Sequence, residues 1–109
     1  MKNLVYGESS WLVGDDAANA ILEYTVLMAK DGAADTVDVN VLGPDGNSEM
    51  TTLVLGPATM IQAQTTRSQL QEPENFELIV YIRERLRSST LPAQPLSSAP
   101  LEPPYADEI

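Results

Sequence analysis

The chain has 109 residues, of which 16 are acidic and 6 are basic, and its formal net charge is −10. It contains neither cysteine nor histidine. Without these residues it cannot use a thiol nucleophile, a disulfide, a cysteine-rich zinc or iron–sulfur site, or an imidazole base titrating near neutral pH. The negative charge also disfavours phosphate backbones and anionic lipid surfaces. Composition therefore predicts a binding protein with no cofactor, no nucleic-acid partner and no membrane partner.

Two composition patterns predict location and domain organisation. No window approaches the ~20 continuous apolar residues of a spanning helix, and Gly7 and Glu8 interrupt the N-terminal segment before a secretion signal could form. We therefore expect a cytoplasmic protein. The last 22 residues hold five of the eight prolines and no basic residue. This predicts one domain over residues 1–87 and a disordered, polyproline-like tail over residues 88–109, which either only solubilises or binds an aromatic groove through its two Pro-x-x-Pro segments.

The N-terminal half begins with a strand and a helix. A strand is expected within Leu4 to Val13, although Gly7 interrupts it. Asp15 and Asp16 supply the acceptors and the negative charge that a helix N-terminus favours, the alternative being half of a carboxylate metal site. Ala17 to Lys30 is rich in helix formers and is apolar on both sides. We expect this helix to be buried on two sides and to meet another subunit.

A strand meander is predicted next. Valines alternate with polar residues between Val37 and Val41, which is typical of a half-buried strand. The segment Gly43-Pro44-Asp45-Gly46-Asn47 has strong turn chemistry, and a second strand over Glu49 to Leu55 pairs back as a hairpin. Thr59 to Thr66 is expected to be the third strand of the meander. The turn resembles the start of a calcium loop only superficially, because its glycine is misplaced and the final acid is missing, so no metal is predicted.

The last predicted element is a second helix. Pro73 suits a first helical turn, and Glu74 to Arg87 carries acids first and arginines last, as the helix dipole favours. The element order β-α-β-β-β-α predicts an α+β fold. We expect a two-layer sandwich with two helices on one face of a four-stranded mixed sheet, in which the β-α-β step is a right-handed crossover.

Arg67 is the candidate ligand-binding residue. It is an isolated basic side chain, and Thr65, Thr66 and Ser68 surround it with hydroxyl groups. A guanidinium presents forked donors that suit a carboxylate or a phosphate, so the cluster predicts a site for an anionic metabolite. The alternative is a structural ion pair with one of the acids.

Candidate interface residues come from the large and apolar side chains. Trp11 is an amphipathic ring of the kind enriched at interfaces, and Leu22 and Val26 belong to the second apolar side of the first helix. We predict these three residues in a protein interface, with packing in the core as the alternative for Trp11. The three arginines at the end of the second helix either stabilise its C-terminus or contact an acidic partner.

Four short segments carry a resemblance to known proteins. They are Trp11 to Asp16, Ala34 to Val37, Thr66 to Ser68, and Glu72 to Asn75. In these segments the chain resembles small acidic actinobacterial proteins of unknown function, over most of residues 11–87. The resemblance implies a cytoplasmic bacterial protein and brings no activity, substrate or catalytic residue.

These observations leave three functional hypotheses. The first is a non-enzymatic interaction or regulatory module that binds a protein partner and self-associates through its sheet edge or its first helix into a homo-oligomer. The second is a sensor or carrier that holds an anionic metabolite at Arg67. The third is an enzyme using carboxylates or a hydroxyl nucleophile, which requires a cleft of convergent acids. The chain lacks Ser-x-x-Lys, Gly-x-Ser-x-Gly and P-loop motifs, so we predict no catalytic residue.

Overall fold

The computed structural model describes residues 1–90, apart from the side chain of Thr90. The proline-rich part of the predicted tail, residues 91–109, lies outside this range. The described chain forms seven elements, which are β1 (Lys2–Tyr6), β2 (Ser9–Val13), α1 (Asp15–Asp31), β3 (Asp35–Leu42), β4 (Ser48–Leu55), β5 (Ile61–Thr65) and α2 (Phe76–Thr90).

The N-terminal segment forms two strands where one was predicted. Gly7 has a φ of 60°, a left-handed conformation that glycine adopts without steric cost. It turns the chain so that β1 pairs antiparallel with β2, Leu4 opposite Trp11. The glycine that interrupts the apolar pattern is therefore the turn of a hairpin.

The five strands form one sheet in the order β4-β3-β2-β1-β5, and every pair is antiparallel. The α+β class is confirmed, but the four-stranded mixed sheet is wrong. The predicted right-handed crossover is also wrong, because β3 runs antiparallel to β2. The β3–β4 hairpin forms as expected. Strand β5 does not extend the meander beside β4 but pairs with β1 at the opposite edge.

The sheet is strongly curled. Strands β4 and β5 lie at opposite edges, four strand spacings or about 19 Å apart if the sheet were flat, yet only residues 56–60 join them. Part of this connection is itself a turn, in which the Thr59 N–H donates to the Gly56 carbonyl at 3.1 Å. Curling brings the edges together, and the Tyr6 hydroxyl on β1 reaches Val54 on β4, donating to its carbonyl at 3.0 Å.

Both helices pack on the same face of the sheet. The buried apolar cluster takes side chains from β1 to β4 and from both helices, among them Leu4, Val13, Ile21, Tyr24, Val37, Val39, Val41, Leu53, Leu55 and Ile82. Each fully buried side chain of this size contributes roughly 1.5–3 kcal/mol of hydrophobic stabilisation. The opposite face carries the alternating polar residues of the strands.

The helix ends differ from the predicted ones. Helix α1 is capped by the backbone of Gly14, with Asp15 and Asp16 in its first turn and no side-chain cap. Helix α2 begins at Phe76, two residues later than expected, and it continues through Ser88 to Thr90. Among the described residues, no helix is long and apolar enough to cross a membrane.

Candidate functional site

The sheet is split between β2 and β3. All eight residues of β3 pair with β4, but β3 pairs with β2 only where Leu42 meets Leu12. The chain leaves the sheet directly after β2 to begin α1. Among residues 1–90, therefore, no strand lies beside the remainder of β3, residues 35–41, on that side, and we call it the open segment of β3.

The direction of the backbone groups in the open segment follows from the hairpin. The Gly43 N–H donates to the Asn47 carbonyl at 2.9 Å, which makes this pair a hydrogen-bonded one. Such pairs alternate along an antiparallel ladder, so odd-numbered residues of β3 bond to β4. The N–H and C=O groups of Thr36, Asp38 and Asn40 consequently point away from β4 and into the split.

Asn75 closes one end of the split. Its Oδ1 accepts the Asn40 N–H and its Nδ2 donates to the Asn40 carbonyl, both at 2.8 Å. A side-chain amide carries the same donor and acceptor as a peptide group, so Asn75 replaces the missing strand residue. Asn75 is only 8% exposed, and its own carbonyl accepts the Ile79 N–H at 3.0 Å. This Asn75 clamp therefore attaches the start of α2 to β3.

The rest of the split is a groove between the open segment and α2. It consists of two adjoining pockets that share Asp38, Glu77 and Leu78. The outer pocket, of about 430 Å³, opens on the polar face and is lined by Asp38, Asn40, Met50, Glu74, Asn75, Phe76, Glu77 and Leu78. The inner pocket, of about 380 Å³, is lined by Thr36, Val37, Asp38, Glu77, Leu78 and Tyr81. Three carboxylates and several apolar side chains thus share one concave surface.

Three backbone groups in this groove have no hydrogen-bond partner among residues 1–90. The Thr36 N–H donates to Oδ1 of Asp35 at 2.8 Å, and Asn75 satisfies Asn40. The Thr36 carbonyl and both backbone groups of Asp38 remain. The Asp38 carboxylate, by contrast, accepts the Thr52 hydroxyl at 2.6 Å.

A polar network lies beside the inner pocket. Oδ2 of Asp35 accepts the hydroxyl of the fully buried Tyr24, and it accepts the Tyr81 hydroxyl at 2.5 Å. The Arg85 Nε donates to the Tyr24 hydroxyl at 3.2 Å, and its guanidinium lies 5.4 Å from the Tyr81 ring centroid. The two tyrosine rings meet edge to face at 6.2 Å. The network joins α1, β3 and α2.

The titration behaviour of this network follows from its contacts. Burial, reinforced by the hydrogen bond to Asp35, raises the pKa of Tyr24 well above its usual range. Burial alone would raise the pKa of Asp35 too, but the hydrogen bonds from Tyr24, Tyr81 and the Thr36 N–H outweigh it and lower the pKa. Asp35 is thus an ionised carboxylate whose acceptors are engaged, which suits a structural role better than proton transfer.

The predicted anion-binding residues lie in the segment that leaves β5. Arg67 is exposed. The Ser68 hydroxyl accepts the Leu70 N–H at 3.1 Å, and the Thr66 N–H donates to the Met1 carbonyl at 3.3 Å. None of the five pockets described for residues 1–90 is lined by these residues or by Thr65. The anion site stays a prediction.

The predicted interface residues differ in exposure. Trp11 is half-buried and packs against the core from β2. On α1, Leu22 is half-buried and Val26 is 54% exposed. Val26 is therefore the member most accessible to a partner, and the interface itself stays a prediction.

The candidate metal residues have other contacts or lie apart. Oδ1 of Asp45 accepts the Asn47 N–H at 3.0 Å, which is the turn chemistry that the sequence indicates. No group of three or more acidic side chains that could hold a metal ion occurs within residues 1–90.

Sequence reasoning missed the residues that build the groove. Asp38 was taken only as a polar strand residue, and Asn75 was placed inside the second helix, whose observed start at Phe76 leaves Asn75 at its cap. A usable signal existed, since asparagine directly before an apolar helical run is typical of a helix boundary. Its contact with Asn40 has no local signature.

No family model, curated protein or solved structure matches the chain. Functional inference therefore depends on the geometry, and the resemblance to small acidic actinobacterial proteins stays a prediction.

Proposed function

We propose that the chain is a non-enzymatic protein-interaction module that self-associates by pairing β4 with β4 of a second copy. The observation that carries this proposal is the free outer edge of β4. The strand has eight residues, Ser48–Leu55, and only one of them, Glu49, is charged. Proteins usually protect an edge strand of this length with lysine, proline or a bulge.

Backbone N–H and C=O groups on the outer edge of β4 are free to pair with a further strand. The alternation set by the Gly43–Asn47 pair directs the N–H and C=O groups of Ser48, Met50 and Thr52 away from β3. Within residues 1–90 no strand pairs with this edge. Within the same range only Val54 is closed: its N–H donates to the Tyr6 hydroxyl at 3.3 Å, and its carbonyl accepts the Tyr6 and Thr59 hydroxyls.

Two copies can satisfy each other at this edge. An antiparallel β4–β4 pair obeys a twofold axis, so the same backbone groups and side chains face each other from both copies. Met50 is 66% exposed and Val54 is 50% exposed, and pairing would cover part of this apolar surface. The net charge of −10 opposes the approach of two copies. At physiological ionic strength the Debye length is about 8–10 Å, and repulsion between charges farther apart is largely screened. Association should therefore strengthen as the salt concentration rises.

The non-enzymatic part of the proposal has a separate basis. The chain lacks histidine and cysteine, and the Asp35 carboxylate, whose pKa is lowered, is engaged by Tyr24 and Tyr81. These features support binding over turnover.

Sedimentation velocity over a concentration and salt series tests the self-association. The wild type should form a dimer that strengthens with salt, and Thr52→Lys should remain monomeric, because pairing with a second strand would remove water from a lysine on this edge. Gln62→Lys, on the exposed surface of β5, makes the same charge change and should leave the dimer intact. A monomeric wild type at its solubility limit, or a Thr52→Lys dimer of unchanged affinity, would overturn the proposal.

A further inference from the structure

We infer that the groove beside the open segment of β3 binds an extended segment of a different protein, one in which basic residues alternate with apolar ones. The inference rests on the proposed function only in taking the chain as a protein-binding module. Its surface is the inner edge of the β3–β4 hairpin and not the outer edge of β4.

The backbone of the open segment selects an extended occupant. The N–H and C=O of Asp38 and the carbonyl of Thr36 point into the groove with no partner among the described residues. A peptide in strand conformation would pair with these groups, as in other complexes formed by strand addition. The Asn75 clamp occupies the next position, Asn40. The added strand is therefore short, with roughly four paired residues.

The two pockets match the alternation of a strand. Successive side chains of an extended peptide point to opposite faces. One set would enter the outer pocket, where Met50 and Phe76 are both 66% exposed. The other set would enter the inner pocket, against Val37 and Leu78. Basic side chains of the partner thus enter the outer pocket with its three acids, and the alternating apolar side chains contact Val37 and Leu78 on the other side of the new strand.

The acidic residues of the groove favour a positively charged partner. Asp38, Glu74 and Glu77 line the outer pocket, and neither pocket is lined by a lysine or an arginine. The Glu74 carboxylate accepts the Phe76 N–H at 2.9 Å, so its charge is held at the rim. Arg85, beyond the inner pocket, is already engaged by Tyr24. Lysines or arginines on the occupant would complement these acids and speed its association.

The same charges disfavour the two occupants that this chain could provide. Strand β4 of a second copy brings one acid and no basic residue. The segment from Leu91 to Ile109 brings three acids and no basic residue. Each would place further negative charge against the acidic rim. A basic segment of another protein is the complementary occupant.

Selection of displayed random peptides on the full chain tests this inference. Enriched peptides should alternate lysine or arginine with apolar residues. When the most enriched peptide is titrated into isotope-labelled chain, the largest amide shifts should be at Thr36 and Asp38. Glu77→Lys should weaken its affinity by about tenfold or more, because it reverses a charge at the groove. Glu8→Lys, in the exposed β1–β2 turn, makes the same charge change and should leave the affinity within about twofold.

Three results would overturn the inference. They are the absence of enrichment, enriched peptides without basic residues, and an affinity that Glu77→Lys and Glu8→Lys alter equally. None of them touches the proposed function, which depends on dimerisation and on Thr52→Lys. Asp38→Lys is a second variant for the groove, but it also removes the hydrogen bond from Thr52. Glu77, which is exposed on α2, is therefore the primary position.

Discussion

The two edges of the β3–β4 hairpin are closed in different ways. The inner edge, on β3, is closed at Asn40 by the amide of Asn75, which supplies a donor and an acceptor at 2.8 Å each from a nearly buried position. Among residues 1–90 the outer edge, on β4, is closed only at Val54, by the Tyr6 hydroxyl at 3.0 and 3.3 Å and by the Thr59 hydroxyl, which donates to the Val54 carbonyl at 2.9 Å. The inner closure uses one side-chain amide, and the outer closure uses the hydroxyls of two side chains.

This difference separates folding from association. The Asn75 clamp positions α2 against the sheet, so losing it disturbs the core as well as the edge. The Tyr6 contact only links β1 to β4 across the curled sheet, near the C-terminal end of β4. The backbone groups of Met50 and Thr52 are left to solvent or to a second copy. The inner edge therefore serves the fold at Asn40 and stays open at Asp38, whereas the outer edge is open from Ser48 to Thr52.

Removing the Asn75 clamp should cause the largest loss of stability. Asn75→Ala removes two hydrogen bonds and leaves the Asn40 N–H and C=O unsatisfied, so the free energy of unfolding should fall by about 2–4 kcal/mol. Urea unfolding measures this change. Gln62→Ala removes an exposed amide from β5 and should change stability by less than about 0.5 kcal/mol. Equal effects of the two substitutions would show that the clamp contributes no stability.

The second largest loss of stability should come from weakening the Asp35 network, which joins α2 to the open segment of β3. Asp35→Asn weakens two hydrogen bonds from Tyr24 and Tyr81 by removing the negative charge of their acceptor. We expect the free energy of unfolding to fall by about 1–2 kcal/mol at neutral pH, again by urea unfolding. A variant as stable as the wild type would contradict the assigned role.

The same substitution predicts a pH dependence. The pKa of Asp35 is lowered in the folded chain relative to its ordinary value of 3.8, so the unfolded chain takes up the proton first. Its contribution is present above that pH and is lost as the pH falls through the lowered pKa. The difference in unfolding free energy between wild type and Asp35→Asn should therefore shrink on acidification below pH 3.8. A difference that stays constant with pH would contradict the lowered pKa.

Opening the outer closure should cost less stability and increase association. Tyr6→Phe keeps the ring and removes the hydroxyl, so the Val54 N–H becomes free for pairing, while the Val54 carbonyl still accepts the Thr59 hydroxyl. Stability should fall by about 1 kcal/mol, and the dimer measured by sedimentation should become tighter. A weaker or unchanged dimer would argue that the outer edge is not the contact surface.

The smallest effect tests the rival surface on α1. Val26→Ser replaces a 54% exposed side chain and should alter stability by no more than about 0.5 kcal/mol. If β4 is the surface of self-association, sedimentation should give the same dimer affinity as the wild type. A monomeric Val26→Ser would instead assign the contact to the first helix.

Local patterns predicted the elements more reliably than their neighbours. The valines of β3 and the Gly43–Asn47 turn specify a hairpin because both signals act within a few residues. For β5, proximity in sequence suggested pairing with β4. The strand pairs with β1 instead. The curl that brings the two edges of the sheet together is a tertiary feature, which the local pattern does not specify. Gly7 shows the opposite error, because a local turn was interpreted as an irregularity.

The groove was beyond prediction for a physical reason. Asp38 and Asn75 are 37 positions apart in the sequence, and their relation depends on β2 ending before it covers β3. The Asp35 network draws side chains from three elements. Alternation and capping rules describe which way a side chain points on its own element. They do not say which backbone groups a neighbouring strand leaves uncovered.

The attachment of Asn75 also governs where the chain tolerates a change of length. Residues 66–75 are tied at one end by the Thr66 N–H and at the other by Asn40. Between them, the Glu72 carboxylate lies so close to Gly14 that an added Cβ would be 2.0 Å from its Oε2. An insertion or deletion in residues 66–75 would displace the start of α2 relative to β3. The exposed tip at Pro44 and Asp45 is hydrogen-bonded within its own turn, so extra residues are better placed there than in the second connection.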